Sequence, residues 1–222
     1  MGLTDGFLQL MGRQARKPSG WFGKLVFSHM ANWGHRPLTR WTMGFMGLQS
    51  DDRVLDIGCG GGMAVKLIAG RVQQRTIATE GFVAGVDYSE DMVQQARRRN
   101  AAAIRAGRVE VKHGNVAALP YDDASFDKVI SVEAFYFWPD PVVNLQEVHR
   151  VIKRGGLVAL AMEGSKEAPS WQKMVARAAQ MGFPTYSGAE MVEMLTAAGF
   201  SRAWFESAPD EDWGWLCALG IK

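Results

Sequence analysis

The chain predicts an α/β fold: a doubly wound, mostly parallel sheet of seven strands that closes in an antiparallel C-terminal hairpin. Three observations carry this prediction. An apolar stretch, Val54 to Ile57, runs straight into a turn in which glycine recurs at positions 58, 60 and 62. A second apolar stretch, Phe82 to Val86, ends on Asp87, 25 residues after Gly62. Strand-like and helix-like segments then alternate as far as Glu163, the order expected of a parallel sheet with right-handed crossovers.

Val54, Leu55 and Ile57 have the character of a strand covered on both faces. The glycines that follow remove every other Cβ from the bend, so the backbone can take positive φ and a ligand can lie against the main chain. Met63 to Ala69 (MAVKLIA) reads as a helix on the sheet, its first N–H groups directed back at the loop. Strands are expected at 53–58, 82–87, 108–112, 126–132 and 157–163, with helices near 62–72, 89–106 and 141–152. Beyond Glu163 two helical segments, 170–181 and 188–198, precede two strand-like runs, Ser201 to Ser207 and Trp213 to Ile221. The short polar link APDED between those runs makes them an antiparallel hairpin at a sheet edge. The organisation is one domain over 51–222, with a helical cap over 1–50 and a helical insert at about 165–198.

The turn specifies its ligand. Dinucleotide sites show G-x-G-x-x-G, where the pyrophosphate rests on the helix N-terminus. Here the order is D-x-G-x-G-x-G, with Asp56 two residues before the first glycine. A carboxylate there repels a pyrophosphate but attracts an ammonium group. Asp87, closing the second strand, is placed to accept hydrogen bonds from both ribose hydroxyls; its other reading is a cap for the helix that starts near Ser89, a role Ser89 is able to fill itself. The ligand therefore has a nucleoside end and an amino-acid end.

Four ordered motifs, VLDIGCGGG, GVDYSEDM, GNVAALPYDDASFDKVIS and VIKRGGLVAL, resemble those of the class I S-adenosylmethionine (SAM)-dependent methyltransferases, in the type 11 group that includes the ubiquinone/menaquinone-biosynthesis enzymes. The likeness covers roughly Arg53 to Ala161, about half of the chain. It implies a Rossmann-like domain that binds SAM and releases S-adenosylhomocysteine. By this resemblance Asp56, Gly58, Cys59 and Gly60 meet the methionine part of the cofactor, and Asp87 holds the ribose. Tyr88, Met92, Asn115 and Val116 surround the adenine, and Ser131 lies at the end of the fourth strand, near the methyl group. Asn115 stands where the family often has Asp, and its carbonyl oxygen is able to accept the adenine amino hydrogen. Arg154 replaces the usual proline before Gly155 and Gly156. Trp138 stands where many relatives carry a histidine, which removes a candidate base.

Methyl transfer from a sulfonium is an in-line displacement, so positioning and desolvation are most of what the protein supplies. A phenol or carbon acid also needs a proton removed. Candidates just past the fourth strand are Glu133, to orient an acceptor or take its proton, and Tyr136; Phe135, Phe137 and Trp138 form pocket walls or core.

Composition sets the outer bounds. With 222 residues, 47% hydrophobic and 22% charged, the chain suits one soluble globular domain. No apolar run approaches the roughly 18–20 residues of a membrane span, so neither a span nor a signal peptide is expected. Two isolated cysteines, Cys59 and Cys217, imply no disulfide framework, and no His or Cys pair has metal-ligand spacing. A cytoplasmic enzyme with no metal is expected, acting on a small-molecule methyl acceptor as a monomer or homodimer. Net charge is only +2, which argues against a nucleic-acid partner. Residues 1–50 nevertheless hold six cations against Asp5 alone, interleaved with Trp21, Phe22, Phe27, Trp33, Trp41 and Phe45. That composition fits a lid over the substrate side, and it leaves open weak contact with a membrane surface. His29 and His35 of this cap are free to face substrate, His113 ends the third strand, and His149 is structural. The readings carried forward are methyl transfer to a small or lipophilic molecule, a quinone-precursor or lipid methyltransferase at a membrane surface, and a catalytically silent SAM-binding module.

Overall fold

The computed structural model describes residues 34–72, 81–164, 166–168, 171–208 and 214–222. Its strands are β1 (Arg53–Ile57), β2 (Phe82–Asp87), β3 (Val109–His113), β4 (Phe126–Val132), β5 (Ile152–Glu163), β6 (Arg202–Ala208) and β7 (Trp215–Ile221). Its helices are α1 (Arg36–Phe45), α2 (Met63–Ala69), α3 (Glu90–Arg99), α4 (Ala101–Arg105), α5 (Pro141–Val151), α6 (Trp171–Met181) and α7 (Gly188–Ala197), with a 3-10 turn at Phe135–Phe137. Among the described residues no helix is long and apolar enough to cross a membrane.

One sheet runs in the order β3-β2-β1-β4-β5-β7-β6. Strands β1 to β5 are parallel, and β7 lies antiparallel between β5 and β6. The chain leaves β1 in one direction to β2 and β3 and returns on its other side to β4, so a crevice opens at the carboxyl ends of β1 and β4. Successive side chains of β1 point to opposite faces. Val54 joins Leu38 of α1, Val65 and Ile68 of α2 and Val93 of α3 on one side. Leu55 and Ile57 join Leu145 of α5 and Met191 and Leu195 of α7 on the other.

Local differences from the sequence reading have local causes. The helix expected over 89–106 breaks at Asn100, whose buried side-chain amide donates to Gly62 O and Ala96 O, both at 3.0 Å. This ties α3 to the start of α2. Asn100→Ala should therefore cost about 1–2 kcal/mol and lower the Tm in a thermal melt by about 3–6 °C. The turn expected before the fifth strand is instead a bulge inside β5: Ile152 pairs with Phe126 and Leu157 with Lys128, so residues 153–156 loop out. Gly155 takes φ +77° there, its N–H donates to Lys222 O, and Gly156 O accepts from Lys222 N.

Helix α7, expected within the insert, belongs to the sheet's own covering layer. It packs on β6 and β7 with Met191 and Leu195 fully buried. A capping box starts it, Ser187 Oγ accepting from Glu190 N while Glu190 Oε2 accepts from Ser187 N. Of the cap expected over 1–50, α1 lies within the described residues, docked on β5 and α2. Trp41 anchors it, 4.9 Å from Phe45 and 5.7 Å from Trp215 between ring centroids. Residues 1–33, including His29 and most of the aromatic and basic residues singled out above, lie outside the described residues, as do 209–213 of the hairpin link.

Candidate active site

The glycine turn sits in the crevice at the end of β1. Gly58 N and Cys59 N both donate to Val86 O, at 2.9 and 3.1 Å, which staples the turn to β2. Gly58, Gly60 and Gly62 all have positive φ. A Cβ on Gly60 would meet nothing within 4 Å, because that side faces a cavity of about 630 Å3. Cys59 is buried with its thiol against Gly85, and burial pushes its pKa well up, so it contributes backbone and packing.

Asp87 organises this end of the cavity. Its Oδ2 accepts from Gly60 N at 2.8 Å and its Oδ1 from Ser89 N at 2.9 Å. The Ser89 hydroxyl makes no cap bond to α3, contrary to the capping role expected of it, and the Asp87 carboxylate instead holds the entry to that helix through Ser89 N. Burial pushes the Asp87 pKa up, while the two amides and His113 hold it back. Asp56 lies deeper, 1% exposed, with Oδ2 buried and lacking a hydrogen-bond partner. Burial, with Asp87 nearby, raises its pKa to about 8.

Tyr88, Met92, Asn115 and Val116 line the same cavity, as the resemblance implies. Asn115 Oδ1 already accepts from Ala117 N at 3.0 Å, which shapes the loop and leaves one lone pair outward. That loop is fastened to α5: Leu119 N donates to Glu147 Oε1, and Arg150 bridges Glu147, Asp123 and Leu119 O. His113 ends β3 with Nε2 2.9 Å from Tyr88 O, and His149 packs edge-on against Phe200.

The other end of the cavity is built after β4. Glu133 has φ +56°, an uncommon value for a residue other than glycine. Its Oε2 accepts from the Tyr136 hydroxyl at 2.8 Å and its Oε1 from Glu163 N. Burial raises the pKa of Glu133, and the Tyr136 phenol is pushed well above its ordinary value by burial and by Glu133. Tyr136, Phe137 and Phe183 form an aromatic wall with centroids 4.5 to 5.6 Å apart.

One sequence expectation falls elsewhere, and one alternative left open is decided. Ser131 does not line the cavity: it is fully buried and its Oγ donates to Ile57 O at 2.9 Å, so it is a clamp between β4 and β1. Phe135 is core, packed against Trp138 and Tyr186. Conversely, His35, Arg36 and Thr39 of α1 and Met181 and Phe183 at the end of α6 line the cavity. Of these only His35 had a sequence signal, as a histidine within an aromatic, basic cap. Glu163, at the end of β5, lies behind His35, with Oε1 3.8 Å from His35 Nδ1. His35, Glu133 and Glu163 offer ligand-type atoms all within 4.8 Å of one another, a grouping that no local spacing in the sequence discloses.

Residues 55–160 match the family model described as a methyltransferase domain. The chain is 32% identical over 140 residues to a demethylmenaquinone methyltransferase of Shouchella clausii, an alignment covering 63% of this chain and 57% of that protein. It is 35% identical over 123 residues to the 27-O-demethylrifamycin SV methyltransferase of Amycolatopsis mediterranei, covering 55% and 43%. The chain thus spans about half the length of these curated relatives. The crystal structure of a SAM-dependent methyltransferase from Aquifex aeolicus has the same fold, with a TM-score of 0.67 at 20% identity over 87% of this chain and 96% of that one. The D-x-G-x-G-x-G turn, the strand order and these relatives agree: residues 55–160 are a methyltransferase domain, in a chain with the fold of the SAM-dependent methyltransferases.

Proposed function

We propose that this protein binds SAM in the crevice at the ends of β1 and β2 and transfers its methyl group to a small or lipophilic acceptor held between α1 and the turn after β4. The observation that carries this reading is the pair Asp56 and Asp87 on one cavity with Glu133 and Tyr136. A buried carboxylate oxygen without a partner, Asp56 Oδ2, is the right complement for an ammonium group. The open face of Gly60 lets a ligand lie on the backbone, and Asp87 keeps lone pairs for two ribose hydroxyls. The residues therefore fit SAM, which supplies an activated methyl group on a positively charged sulfur. Glu133, held by Tyr136 and by Glu163 N, orients the acceptor, and the aromatic wall excludes water and favours positive charge nearby. That wall favours a ring-bearing or apolar acceptor, and the relative that acts on demethylmenaquinone supports the quinone-precursor variant of this reading.

Calorimetric titration with SAM and S-adenosylhomocysteine, with NAD as control, tests the cofactor; methyl transfer on the same sample separates an enzyme from a silent binding module. The pH dependence of binding is a sharper check. With the Asp56 pKa raised to about 8, the carboxyl is protonated below that pH in the unliganded protein and must ionise to hold an ammonium. Binding should therefore release a proton below pH 8, and affinity should fall by about tenfold per unit as pH drops from 8 towards 6. Affinity that is flat over this range would remove Asp56 from the ammonium role.

A further inference from the structure

At the acceptor end no histidine follows β4, because Trp138 occupies that place and is 7% exposed. Both oxygens of Glu133 accept hydrogen bonds, from the Tyr136 hydroxyl and from Glu163 N, which fixes the carboxylate as an orienting group. The Tyr136 hydroxyl donates a hydrogen bond to Glu133 and is held protonated. His35 is differently placed. It lines the cavity from the start of α1, and its Nδ1 is buried without a hydrogen-bond partner, 3.8 Å from Glu163 Oε1. That separation permits charge attraction once the ring is protonated but is too long for a hydrogen bond to the neutral ring. The backbone at His35 is held, because Thr39 N and Thr39 Oγ1 both donate to His35 O at 2.9 and 2.8 Å.

We propose that His35 is the general base of this site, taking the proton of a hydroxyl acceptor on an aromatic ring as that oxygen receives the methyl group, with Glu163 stabilising the imidazolium that forms. The proposal rests on the methyl-transfer reading above. In the step the acceptor O–H bond breaks and an O–CH3 bond forms. The methyl–sulfur bond breaks with its electron pair left on sulfur, and the proton passes to the imidazole. The imidazolium so formed faces Glu163 of β5 and Glu133 after β4, with Tyr136 reaching it only through Glu133 and Arg36 beside it on α1. These two carboxylates raise the pKa of His35 against the lowering effect of burial, which strengthens it as a base. The wall of Tyr136, Phe137 and Phe183 supplies the ring faces and edges that a planar acceptor stacks on.

The sign of the pH effect is fixed by the role: His35 must be neutral to accept a proton, so the rate rises with pH through its raised pKa and levels above it. The test uses the full chain with saturating SAM and three probes, catechol, 4-hydroxybenzoate and 1,4-dihydroxynaphthalene, with S-adenosylhomocysteine formation as readout. Wild type is expected to methylate at least one of them. His35→Gln should lower kcat by about 100-fold, keep KM and S-adenosylhomocysteine affinity, and abolish the inflection. Imidazole added to His35→Gly should restore turnover. Glu163→Gln should move the inflection to lower pH while retaining it, a shift that a purely structural histidine would not produce. Equal turnover by wild type and His35→Gln overturns the proposal, as does failure of wild type to methylate any probe while binding S-adenosylhomocysteine normally. Turnover that requires added Mg2+ or Mn2+ also overturns it, reassigning His35, Glu133 and Glu163 to a cation. Absence of S-adenosylhomocysteine binding would sink the cofactor reading instead.

Discussion

Replacing Asp87 with alanine should reduce affinity for SAM by about 100-fold or more, measured by calorimetry at pH 8. Two effects combine. In the proposed binding mode the carboxylate's free lone pairs accept from two ribose hydroxyls, and hydrogen bonds to a charged group are worth roughly 1.5–3 kcal/mol each. Even the low end of that range, about 3 kcal/mol for the pair, corresponds to about two decades of affinity. The same carboxylate also holds Gly60 N and Ser89 N, so its loss loosens the turn against which the ligand lies. Asp87→Asn keeps one carbonyl acceptor and should fall between the two. An alanine variant that binds SAM like wild type would refute the placement of the ribose at the end of β2.

Gly62→Val should be the most destabilising single change in the turn. Gly62 has φ +76°, a conformation that costs a β-branched residue on the order of 1–3 kcal/mol. A Cβ there would also stand 2.6 Å from Asn100 Nδ2 and 2.8 to 2.9 Å from Ala96 Cβ and Cα. Ala96 Cα is backbone in the middle of α3 and cannot rotate aside, so overpacking adds roughly 1–3 kcal/mol. The expected outcome is a Tm lowered by about 10 °C, or loss of soluble protein. Gly60→Ala is the contrasting variant. It has nothing within 4 Å, so it carries only the cost of a positive φ, about 1 kcal/mol, and its Tm should fall by only about 2–4 °C, yet its methyl group would enter the space where the ligand lies and weaken SAM binding. If the two variants lost stability equally, close approach of α2 and α3 would not be what Gly62 provides.

The elements that proved legible in the sequence are those set by neighbouring residues. Apolar runs at 54–57 and 82–86 became buried strands, and the glycines at 58, 60 and 62 became the positive-φ turn. The antiparallel ending was legible from two strand-like runs and a polar link. Errors arose where distant partners overrule local pattern. Asn100 breaks a helix that would otherwise run on, because its amide is needed at Gly62. Ser131 reads as a site residue by its position after a strand, yet its hydroxyl is drawn to Ile57 O inside the sheet. Helix α7 looks like part of an insert until its apolar stripe, Met191 and Leu195, is seen to fill the core under β6 and β7.

The amino-acid order alone makes legible the sheet, the glycine turn and the carboxylates Asp56 and Asp87 that the structure places on one cavity, because strand period, backbone freedom and the spacing from Asp56 to Asp87 are properties of short stretches of chain. The acceptor end is a product of folding. His35, Glu133 and Glu163 are far apart in sequence and meet only because α1 docks on β5 and the chain after β4 turns through a left-handed residue. No periodicity records that meeting. It follows from the packing of half-buried Trp41 against Trp215 and from the register of β4 on β5, which bring His35 and Glu133 to one wall of the cavity with Glu163 behind His35.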